Sequence, residues 1–125
     1  MTTQSELLEE AIVFAKSLGV AINRGGAVFD WGNNYNDLPK SCDAIGAILL
    51  KTGKQDLVKQ GFKKGWLKEV YDYLGVNSFW IYRFCIGFDV GHQILIIKTM
   101  KDNSEKTEKD DISELGIKLA AKHIG

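Results

Sequence analysis

Two stretches of this chain share one pattern, Phe-Asp-x-Gly-polar: Phe29-Asp30-Trp31-Gly32-Asn33 and Phe88-Asp89-Val90-Gly91-His92. An aspartate that accepts the backbone N–H two residues on, followed by a glycine free to take positive φ, is ordinary turn chemistry. Each phenylalanine would then anchor its turn in the core. Were the two turns to converge, Asp30, Asp89 and His92 would set two carboxylates and an imidazole around one polar pocket. Such groups can ligate a metal ion or move protons. Asn33, Cys42, Asp43 and Arg83 complete this candidate ligand pocket. The spacing does not itself require convergence, and two similar turns are the plainer reading.

The loop from Asp30 to Ser41 is rich in Asp and Asn, which invites a calcium test. An EF-hand needs acidic or amide groups at its first, third and fifth positions, then Gly and a final Glu. Counting from Asp30 puts Gly32 third, Tyr35 at the glycine position and Ser41 last, so the template fails. Cys42 and Asp43 open the next apolar run. A thiol in the first turn of a helix has a lowered pKa and nucleophilic character. It would need a histidine beside it, from His92 or His123. No cysteine-hydrolase motif surrounds Cys42, so a buried structural cysteine is expected, with Asp43 at the positive end of the helix dipole.

Arg83 stands alone as the charge within an aromatic segment. Arginine is rarely buried without a partner, so a carboxylate such as Asp89, Asp43 or Asp72 is expected to pair with it. The other direction open to it is outward, toward a ligand anion.

Lys51, Lys54, Lys59, Lys63, Lys64 and Lys68 face only Asp56 over residues 51–68, with Phe62 and Trp66 interleaved. Such a stripe can grip phosphates and stack bases. Glu69 and Asp72 dilute its field, and over the whole chain sixteen basic residues balance sixteen acidic ones. Only Arg24 and Arg83 are arginines, the usual readers of guanine and phosphate, so a nucleic-acid partner is not expected. Lys63, Lys64 and Trp66 read instead as part of a partner surface, together with Trp31 and Tyr35. The sequence has no Gly-rich phosphate loop, Cys-x-x-Cys, His-Glu-x-x-His or Gly-x-Ser-x-Gly. No catalytic residue, metal ligand set or cofactor is therefore assigned, and the reading leans away from an enzyme.

The elements that must hold these residues come from periodicity. At 125 residues the chain is the size of one globular domain. Residues 3–18 have Leu7, Leu8, Ala11, Ile12, Ala15 and Leu18 at helical spacing, with Thr3 as N-cap and Gly19 as stop. Gly25-Gly26 suggests a hairpin of Val20–Asn23 against Ala27–Trp31. Pro39 precedes a short, all-round apolar helix that ends at Gly53. Another helix runs from Lys63 to Leu74 and stops at Gly75-Val76.

The segment from Gly61 to Ile97 holds two of three tryptophans, three of four tyrosines and four of six phenylalanines, so it is the keystone of the core. Within it, Ser78–Phe88 is expected as a helix capped by Asn77 or Ser78, with 93–99 a short strand or extended piece. The competing reading is a hairpin across Asp89–His92. It would set Arg83 opposite Lys98, a like-charge pair. Residues 101–111 read as a mobile charged loop, and Ile112–Ile124 as a closing helix.

The expected fold is mainly α: a single-domain bundle of four or five short helices, with a small β-hairpin. Its alternative is α+β with a central antiparallel hairpin. The polar, acidic start and the lack of any ~20-residue apolar run predict a cytoplasmic protein with no membrane partner. The expected function is a small non-enzymatic binding or regulatory protein of bacterial or phage origin. It would act through contacts with another protein or with itself, as accessory or immunity-type factors do. The alternative is a small ligand- or metal-binding enzyme domain using the Asp30–Asp43 loop with Asp89 and His92.

Overall fold

Thr3 begins the first helix as the sequence requires. The computed structural model describes residues 3–24, 29–30, 38–54, 65–100 and 108–124; among them are five helices and three two-residue strands. The chain is therefore mainly α with a small sheet. Its contacts group into two compact units, Met1–Val76 and Asn77–Gly125.

In the first unit, α1 spans Gln4–Ser17. Thr3 Oγ1 accepts the Glu6 N–H at 3.2 Å and its hydroxyl lies 3.3 Å from the Glu6 carboxylate. At the other end Gly19 takes φ 85°, Val20 N–H donates to the Ala15 carbonyl and Gly19 N–H to that of Lys16. This is a Schellman closure, which only glycine enters without a Cβ clash. Leu8, Ala11, Ile12 and Ala15 form the sealed stripe. It packs against α2, Ala44–Lys51, of which Ala44 through Leu50 are all buried. Lys51 Nζ sits 5.0 Å from the Phe14 ring centroid, a cation–π contact between the two helices.

Among the described residues the expected hairpin of 20–23 against 27–31 does not form. β1 (Ala21–Ile22) and β2 (Phe29–Asp30) each pair with β3 (Ser41–Cys42), which lies between them. β1 runs parallel to β3 and β2 antiparallel. The register explains the preference: Ile22 and Phe29 both face Cys42, and all three are buried, while Ala21, Asp30 and Ser41 lie on the other face. A two-stranded hairpin would have left that apolar row with one neighbour instead of two. Since Ser41–Cys42 is strand, the buried helix starts two residues later than expected, and Pro39 precedes a strand.

α3, Gly65–Leu74, buries Val70 and Leu74 and stops at Gly75, whose φ is 68°, with Val76 N–H on the Tyr71 carbonyl. Gln4 Nε2 donates to the Leu74 carbonyl at 3.4 Å, joining the start of α1 to the end of α3.

The second unit is a helical pair, α4 (Ser78–Met100) and α5 (Glu108–His123). Asn77 caps α4 by accepting the Trp80 N–H at 3.0 Å. The expected helix over 78–88 is present, but it does not stop there. Residues 93–99 continue it, and the hairpin alternative is excluded. Ile and Thr favour strands only as a weak, context-dependent preference, and a helix already nucleated upstream overrides it. Glu108–Asp111, expected in the charged loop, form the first turn of α5; residues 101–107 lie outside the described residues.

The two helices approach closely at two glycines. A Cβ on Gly87 would stand 2.7 Å from the Ser113 carbonyl carbon, and one on Gly116 would stand 2.6 Å from the Phe88 nitrogen. Gly87→Ala and Gly116→Ala should each cost roughly 3 kcal/mol or more, since backbone must move to admit the methyl. Gly53→Ala has open space around it and should cost only about 1 kcal/mol, for its positive φ. Urea denaturation of the three variants ranks them; equal losses would mean that the helices are not in backbone contact.

Candidate functional site

The candidate pocket residues of the first unit separate across its small sheet. Asp30 is exposed and its carbonyl accepts the Lys40 N–H at 2.7 Å. It shares a face with Ser41, whose hydroxyl accepts from Asn23 Nδ2 at 2.6 Å. Cys42 faces the other way and is wholly buried. Asp43 is buried too and works as the N-cap of α2, its Oδ1 accepting the Gly46 N–H at 2.8 Å. That satisfies one of the four donors a helix start leaves open.

Asn33, Trp31, Tyr35, Lys63 and Lys64 lie outside the described residues. Trp66 is placed by its backbone in the first turn of α3.

Cys42 is the buried structural cysteine expected, and the activated-thiol alternative does not hold. It ends β3 and precedes the Asp43 cap instead of entering the first turn of the helix. Its pKa is pushed up from 9.0 to about 12, first by burial and then by the Asp43 carboxylate. At neutral pH the sulfur keeps its proton, and thiolate chemistry does not start there.

In the second unit the repeated Phe-Asp-x-Gly pattern proves to be helix at 88–92, not a turn. Asp89 is half-buried and His92 lies one turn further along the backbone. Arg83 is also half-buried. At about 100° per residue, Arg83 and Asp89 are about 120° apart around the helix and about 9 Å apart along it. Of the other carboxylates proposed for Arg83, Asp72 pairs with Lys68 at 3.3 Å and Asp43 caps its helix. Among the described residues Arg83 Nε is buried with no hydrogen-bond partner, and so is Asp89 Oδ1. Ser113 touches this residue only through the backbone, its hydroxyl donating to the Arg83 carbonyl at 3.2 Å.

Around Arg83 the two sides of α4 differ sharply. On the inner side Ile81, Phe84 and Phe88 are buried, and rings stack along the axis: Trp80 on Phe84 at 5.6 Å, Phe84 on Phe88 at 5.8 Å. On the outer side Phe79 is 53% exposed and Tyr82 62%. Phe79, Tyr82, Arg83 and Ile86 fall within an arc of about 100°, the i, i+3, i+4, i+7 spacing of a single helix face. Phe79 and Tyr82 were not among the candidates from sequence. The signal was that same spacing, hidden because the inner face of the helix is equally apolar.

Among the described residues no group of three or more His, Cys, Asp or Glu could hold a metal ion. None of the described helices is long and apolar enough to cross a membrane. No protein-family profile, curated protein or solved structure matches the chain.

The state of Cys42 sets a pH dependence. Below pH 9.0 the folded and unfolded thiols are both protonated, and stability carries no slope from this group. Between 9.0 and about 12 the unfolded thiol loses its proton while the folded one keeps it. Stability then falls by about 1.4 kcal/mol per pH unit. From about pH 8 to about pH 10.5, the wild type should lose roughly 2 kcal/mol more than Cys42→Ala. Urea denaturation at both pH values measures it; parallel losses would place a thiolate in the folded protein.

Proposed function

We propose that this protein is a non-enzymatic binding protein that docks another protein on the outer face of α4. One observation carries the reading: Phe79 and Tyr82 stand next to each other on one helical turn, each more than half exposed. Scattered single apolar residues on a surface are ordinary, whereas adjacent large rings beside an arginine have the composition of interface hot spots. Covering about 100 Å² on each ring contributes roughly 5 kcal/mol before the costs of association.

The alternative, a small ligand- or metal-binding enzyme domain using the Asp30–Asp43 loop with Asp89 and His92, has less support. Asp30 and Cys42 sit on opposite faces of the sheet, and Asp43 is engaged as a cap. Of the partner surface expected at Trp31, Tyr35, Lys63, Lys64 and Trp66, all but Trp66 lie outside the described residues, and the reading rests on the α4 face.

A photo-crosslinking residue placed at Tyr82 should yield a discrete covalent adduct with one protein in the cells that make this chain. The same group at Lys118, exposed on α5, serves as the reference. An adduct at Tyr82 and none at Lys118 is the expected result. No adduct at Tyr82, or the same smear from both positions, would end the docking reading.

A further inference from the structure

We draw no further inference here: the strongest candidate, the surface patch on the outer face of α4 where Phe79 and Tyr82 stand exposed beside the half-buried Arg83, belongs to the site already described, and nothing in the structure shows what covers it.

Discussion

Two missing side chains govern the second unit. At Gly87 and Gly116 the backbones of α4 and α5 come so close that any Cβ would collide with a main-chain atom. That contact decides which side of α4 is inner. Phe84 and Phe88 flank Gly87 in sequence, and the main chain of both lies against Gly116; their side chains are sealed. The opposite side is then outer by geometry, and it holds Phe79, Tyr82 and Ile86. The hydroxyl of Ser113, buried in the same crossing, adds a hydrogen bond to the Arg83 carbonyl, so the arginine is carried on backbone held by the crossing. Helices with larger residues at a crossing keep their axes 8–10 Å apart, whereas glycine permits less and fixes rotation as well as distance. An exposed aromatic pair is useful for docking only on such a rigid support.

The first unit is organised differently, by local chemistry at the ends of its helices. Thr3 and Asp43 each place an oxygen on the N–H three residues ahead. Gly19, Gly53 and Gly75 each take positive φ and turn the chain out of a helix. These closures satisfy backbone groups that would otherwise be stranded, at about 1 kcal/mol each. The burial of α2 on all sides then comes from tertiary packing, with α1 on one flank and the Ile22–Phe29–Cys42 row at its entrance.

The parts of this architecture that could be read from sequence are those whose cause lies within a few residues. Thr3, Asn77, Gly19 and Gly75 declare themselves because a cap or stop needs only its own neighbours. The sheet did not, because Gly25-Gly26 looks like a local turn whereas β1 and β2 are joined through β3, well downstream. Hydrophobic pattern cannot distinguish a hairpin from a strand inserted later. Residues 93–99 misled for a related reason: β-branched composition is a weak preference, and continuing an existing helix avoids a new nucleation cost. Cys42 is the buried cysteine expected, and a two-residue shift removes its alternative. Placed inside the helix it would be an activated thiol; placed ahead of the Asp43 cap it is a buried, protonated one.

The face on α4 was hidden for the opposite reason, an excess of signal. From Phe79 to Phe88 nearly every residue is apolar, so periodicity has nothing to contrast, and a helix with no polar stripe reads as buried on all sides. Arg83 is the break in that uniformity. Its position alone did not settle whether it turns to an internal acid or to the outside. The arrangement of acids narrows this: Asp72 is matched with Lys68, Asp43 with the α2 amides, and Asp89 stands a third of the way round the helix. A buried guanidinium nitrogen without an acceptor costs on the order of 1–3 kcal/mol, more than an exposed ion pair contributes.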